Sequence, residues 1–162
     1  MEESLQHSIN AYKDAIVDGH VQRAFRALME FMLKLRTQFI QNYPAGYVSS
    51  SLHPGYLDIS YFPFTPLALK QQKLKIAVVL NHEEMQFEVW LAGQNKAIHK
   101  KYWEIFQGSD WPKDNIAPSP EHMILREVVV ASPNFDEPQL LMNEIESRTM
   151  TFIEEVVAVL VG

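Results

Sequence analysis

The stretch Leu74–Gly93, LKIAVVLNHEEMQFEVWLAG, constrains the fold of this chain more than any other. Leu74, Ile76, Val78 and Leu80 take every second place along its first half, and Met85, Phe87, Val89 and Leu91 along its second. Alternation over that length marks half-buried strands. Asn81, His82, Glu83 and Glu84 lie between the runs and suit a short polar loop, so the segment predicts an antiparallel hairpin. Setting Leu80 opposite Met85 pairs Val78 with Phe87, Ile76 with Val89 and Leu74 with Leu91. A slip of one residue would turn all of these side chains to the other face.

The same register puts Val79 opposite Gln86, Ala77 opposite Glu88 and Lys75 opposite Trp90. Lys75 and Glu88 then become diagonal neighbours, within reach of long side chains. Val79 and Ala77 make the first strand apolar on both faces, which predicts a central strand with helices on both sides of the sheet.

The flanking segments read in order. Leu5, Ile9, Tyr12 and Ile16 recur at helical spacing over residues 3–17, and Asp18-Gly19 stop that helix. A second helix runs from His20 to Asn42 with Val21, Phe25, Leu28, Met32, Leu35 and Phe39 on its apolar side, and Pro44 ends it. Arg36 projects beside that stripe, toward the sheet. Pro54-Gly55 predict a turn, and residues 56–63 a strand that Pro63 and Pro66 close, paired with a short one at 47–52. After the hairpin comes a helix over 95–107 with Ile98, Tyr102, Ile105 and Phe106 inward. Lysines crowd its first two turns, where cations oppose the helix dipole and hint at an anion nearby. Met123–Val130 predicts a strand reached by a right-handed crossover, parallel to the second hairpin strand. Asp136 and Gln139 form a capping box for a final helix carrying Leu141, Ile145, Phe152, Val156 and Leu160. The expected class is therefore α+β, one domain in the order α-α-β-β-β-α-β-α. Its sheet would be mixed, of four to five strands, with an antiparallel meander and flanking helices.

Charge and residue content narrow the function classes. A net charge of −6 over 162 residues argues against generic binding to nucleic-acid backbone. The absence of cysteine removes disulfides and thiolate metal sites. The polar, acidic start MEESLQHSINAYKDA is no secretion signal, and no apolar run reaches the roughly 20 residues of a membrane span. A cytoplasmic protein without a membrane segment is expected. His82-Glu83 lacks the second histidine of a zinc-protease helix, since Gln86 stands there, and no Gly-rich phosphate loop or nucleophile elbow occurs.

One constellation carries chemistry. With Asp58 on the polar face, Asp58, Glu88 and Lys75 could converge beside Trp90, two carboxylates for Mg²⁺ or Mn²⁺ and a lysine for a phosphate or an attacking water. The order helix, three-stranded meander, helix, strand resembles the core of restriction-endonuclease-like nucleases, whose motif has an acid on the second strand and acid-x-lysine on the third. Here KLKIAVVLN has no acid, and tryptophan replaces lysine in Glu88-Val89-Trp90.

AFRALMEFMLKLRTQF (24–39), GYLDISYFPFTP (55–66), LKIAVVLNHE (74–83) and FEVWLAGQNKAIHKKYWEIF (87–106) resemble a family of small single-domain bacterial proteins of unknown function. That resemblance implies one compact domain and transfers no activity or cofactor. The leading expectation is a non-enzymatic binding domain, free of cofactor and metal. Its pocket for a small polar or anionic ligand would lie where Arg36, or Asn95 and Lys96 at a helix start, approach Lys75, Glu88 and Trp90. The alternatives are a metal-dependent nuclease or phosphodiesterase using Asp58, Glu88 and Lys75, and a homodimer formed through Val156, Val157, Val159, Leu160 and Val161 of the last helix.

Overall fold

The computed structural model describes residues 4–161. Five helices and five strands follow one another as α1 (Leu5–Ile16), α2 (His20–Asn42), β1 (Tyr47–Ser49), β2 (Ile59–Pro66), the single turn α3 (Leu67–Lys70), β3 (Leu74–Asn81), β4 (Gln86–Gly93), α4 (Lys96–Gln107), β5 (Leu125–Val130) and α5 (Pro138–Leu160). The strands form one sheet in the order β1-β2-β3-β4-β5, antiparallel throughout. This is the expected α+β class with its meander.

The expected mixed sheet is corrected, because β5 runs antiparallel to β4. A crossover helix alone would deliver a parallel strand. Here the segment after α4 travels the length of the sheet a second time, and Ile124 N donates to Leu91 O at 2.7 Å, so β5 starts beside the end of β4. The proline expectation changes as well. Pro63 ends the ladder between β2 and β3 at the pair Pro63–Ala77, yet β2 continues to Pro66 along β1. Ile76 N, deprived of a ladder carbonyl, donates to Thr65 Oγ1 at 3.1 Å. Asp136 and Gln139 form no capping box either: Glu137 holds the N-cap position without a side-chain bond, Pro138 opens α5, and Gln139 Nε2 reaches Gln38 Oε1 at 2.9 Å.

Helices α2, α4 and α5 pack on the face that carries Phe62, Phe64, Ile76, Val78, Phe87 and Val89. Phe31 of α2 meets Phe87, and Phe39 meets both Phe62 and Phe64, with ring centroids 5.0–5.7 Å apart. Phe152 of α5 closes on Trp111, which in turn meets Phe106 of α4. Ile105 was expected inward on α4 and is exposed, the buried residues of that helix being His99, Tyr102 and Phe106. Helix α1 buries no residue and leaves Leu5, Ile9 and Tyr12 exposed.

The expectation of helices on both faces is corrected too. Val79 and Ala77 are buried but stand outside the helix-side cluster, between sheet neighbours: Tyr61 and Glu88 flank Val79, and Pro63 and Trp90 flank Ala77. Among the described residues, no helix is long and apolar enough to cross a membrane.

Candidate functional site

The hairpin pairs in a register two residues away from the one expected. Leu80 faces Phe87, Val78 faces Val89 and Ile76 faces Leu91, with Asn81 and Gln86 closing the loop His82–Met85. Asn81 decides this. Its Oδ1 accepts from Glu84 N at 3.1 Å, so it ends the strand as a turn-capping residue rather than starting the loop. Met85 takes up a left-handed backbone, φ 48°, and lies in the loop. A shift of two preserves every face, so the apolar rows still meet. It does move opposite partners: Glu88 lies across from Val79, Trp90 from Ala77, and Lys75 from Ala92.

Lys75 and Glu88 are therefore not diagonal neighbours. The cation that reaches Glu88 is Arg126 of β5, opposite Trp90 and diagonal to Glu88 in unbroken register, the register shift of this pair of strands falling beyond it, between Glu88 and Phe87. Its guanidinium grips the carboxylate with both prongs, Nε to Oε1 at 2.8 Å and Nη2 to Oε2 at 2.9 Å. Trp90 Nε1 adds a bond to Oε1 at 2.8 Å, while Gln86 Nε2 (2.7 Å) and Asn81 Nδ2 (3.0 Å) donate to Oε2. Glu88 is 0 % exposed and accepts five hydrogen bonds. Burial by itself would raise its pKa. The donors from Arg126, Gln86, Trp90 and Asn81 outweigh that and hold the carboxyl below the usual glutamate value.

Arg126 keeps 43 % of its side chain exposed, and its Nη1 takes no part in these bonds. The residue lines a cavity of about 280 Å³ with Ile116, Ala117, Pro118 and Met123 as apolar wall and Ser119 and His122 as polar members; Asp114 is the acid in that lining. The wall is anchored: Trp103 Nε1 donates to Ala117 O at 2.7 Å, and Ala117 N to Ile124 O at 3.0 Å. Arg126 thus has one edge of its guanidinium fixed by a buried carboxylate and is itself part of the lining of an apolar-walled cavity.

The other expected site residues lie apart from this centre. Lys75 is exposed and holds its ammonium 5.7 Å from the centroid of the Tyr61 ring. Asp58 precedes β2, turns its Oδ1 back to Tyr56 N at 2.9 Å, and has its pKa lowered by such backbone donors. Arg36 donates from Nε to Ser50 O at 2.7 Å. Asn95 caps α4 by accepting from Ile98 N at 3.0 Å, and Lys96 is exposed on its first turn. Asp58, Glu88 and Lys75 are thus not brought together, and no group of three or more acids and histidines among the described residues is placed to hold a metal.

A serine–histidine contact also forms. Ser60 Oγ lies 2.8 Å from His82 Nε2 and donates to Pro54 O at 2.5 Å. Ser60 is fully buried and its proton is committed to that carbonyl, so the pair ties the hairpin loop to residues 54–60 and offers no nucleophile.

Sequence reasoning missed Arg126. The signal was present: an acid inside FEVWL needs donors from an adjacent strand, and LREVVV supplies one cation in an apolar run. Neither a curated protein nor a solved structure matches the chain. A family model described as Domain of unknown function (DUF7000) matches residues 5–160, nearly the whole length, so the chain belongs to this single-domain family.

Proposed function

We propose that this protein is a non-enzymatic binding domain for a small carboxylate-type anion carrying an apolar body, held by Arg126. The observation that carries this reading is the bidentate grip of the fully buried Glu88 on a half-exposed Arg126 that lines a cavity. Preorganisation is the physical advantage. The guanidinium is already oriented, so the anion binds without freezing a long side chain. Apolar Ile116, Pro118 and Met123 suit a ligand with a hydrocarbon part, and Trp90 contributes by steadying Glu88. The nuclease reading needs Asp58, Glu88 and Lys75 in one centre and is not favoured by their separation.

Calorimetric titration with a panel of aliphatic and aromatic carboxylates, each beside its uncharged amide, tests the proposal. The carboxylates should bind saturably and the amides about tenfold more weakly or worse, the scale of one lost charge-assisted hydrogen bond. Ser119→Trp, which fills the cavity without touching Glu88, should abolish the difference. Equal affinities for acids and amides, or unchanged binding to Ser119→Trp, would overturn it.

A further inference from the structure

The end of the sheet away from the His82–Met85 loop gathers lysines. Segments 67–77 and 92–102 carry Lys70, Lys73, Lys75, Lys96, Lys100 and Lys101 and no acidic residue, in a chain of net charge −6. Folding ties the segments together. Gln94 N donates to Lys73 O at 3.0 Å, and Tyr102 Oη donates to Gln72 Oε1 at 2.9 Å. Lys70, Lys73 and Lys75 then line one depression of about 540 Å³ with Gly93 and Gln94. None of the ion pairs among the described residues involves these lysines. Like charges brought around one depression repel one another, and a multivalent anion bound there turns that repulsion into attraction.

Lys73 adds a separate observation. It sits in the left-handed region, φ 64°, in the turn between α3 and β3, with its N–H bonded to Lys70 O and its carbonyl to Gln94 N. That backbone favours glycine, or asparagine among residues with side chains, and a lysine there is strained. Strain of this kind concentrates where the side chain has work to do. At Lys73 the side chain lines the depression.

We infer that this depression binds a small molecule bearing two or more phosphate groups. Flexible lysines acting as point charges match the several negative oxygens of phosphate groups, where a planar carboxylate is better served by an arginine fork. The site is distinct from the Arg126 cavity and stands or falls independently of it.

Calorimetric titration with inorganic tripolyphosphate at low and moderate salt tests it on the wild type, Lys73→Asn and Lys70→Gln/Lys75→Gln. Asparagine tolerates the left-handed backbone, so Lys73→Asn removes the ammonium while keeping the turn. One saturable site that weakens with salt is expected, with affinity reduced about tenfold by Lys73→Asn, further in the double variant, and melting temperatures held. Ser119→Trp should bind tripolyphosphate as the wild type does, which separates this outcome from that of the carboxylate titration. No saturable binding at low salt, or equal affinity in all variants, overturns the inference. Tighter binding of a single-stranded oligonucleotide that displaces tripolyphosphate would also overturn it, since the ligand would then be nucleic acid.

Discussion

Phe87 and Glu88 are adjacent in the chain, both fully buried, and face opposite sides of one sheet. Phe87 sits among Phe31 and Phe135, with ring centroids 5.6 and 6.0 Å away, in a cluster that runs through α2, α4 and α5. Glu88 sits among five hydrogen bonds from four side chains on its own and neighbouring strands. The first environment is non-directional and rewards any well-packed apolar surface. The second is directional and accepts only donors at fixed positions. One face therefore holds the fold together, and the other holds a cation in a set orientation. Phe87→Ala should give the largest effect of any single change at this pair, a loss of about 3–5 kcal/mol on urea denaturation from lost burial and the cavity left behind. A loss below about 1 kcal/mol would mean that α2 and α5 collapse onto the gap and that the helix-side face is less tightly packed than its burial indicates.

The polar face should behave differently under double substitution. Arg126→Met alone leaves a buried carboxylate without its ion partner and should cost about 3 kcal/mol. Glu88→Leu/Arg126→Met removes both charges and should recover most of that loss, because paired burial of charge adds little net stability over apolar packing. The double variant would then be folded and unable to bind the carboxylate panel, separating what keeps the chain folded from what Arg126 is held for. If the double variant is no more stable than Arg126→Met, the network is a structural requirement in its own right.

The apolar face was readable from alternation alone, and the limits His20–Asn42 of α2 followed from its stripe and Pro44. The polar face was readable only in part. Parity placed Glu88 and Trp90 together and apart from the apolar row, and a register error of two cannot disturb parity. That error did choose the wrong cation, because whether the loop closes at Leu80–Met85 or at Asn81–Gln86 depends on one Asn81 side-chain bond that periodicity does not encode. Arg126 lies 38 residues beyond Glu88, and its approach required the antiparallel direction of β5, set by the path of the loop after α4. Asp58 was misplaced because β2 begins one residue after it.

A smaller effect sharpens the comparison with a second glutamate. Glu127 lies opposite Val89 and so faces the helices; it accepts from Asn115 Nδ2 at 3.3 Å and feels Glu155 of α5. Burial, then Glu155, raise its pKa against a weaker opposing pull from Arg148. The two glutamates thus have opposite linkage. Glu88, with its folded pKa lowered, contributes stability that is present above the ordinary glutamate value and lost as pH falls through the folded one. Glu127, with its folded pKa raised, contributes stability below the ordinary value that is lost as pH rises through the folded one. At neutral pH the ionised Glu127 is therefore a net cost, and Glu127→Gln, which keeps an acceptor for Asn115, should stabilise the protein by about 0.2–1 kcal/mol, the scale of a partly solvated charge pair. Denaturation across the acid range is the measurement. The gain should shrink toward zero below the ordinary glutamate value, where wild-type Glu127 is itself neutral. A gain independent of pH would trace instead to packing, and would mean that the charge of Glu155 does not reach the sheet.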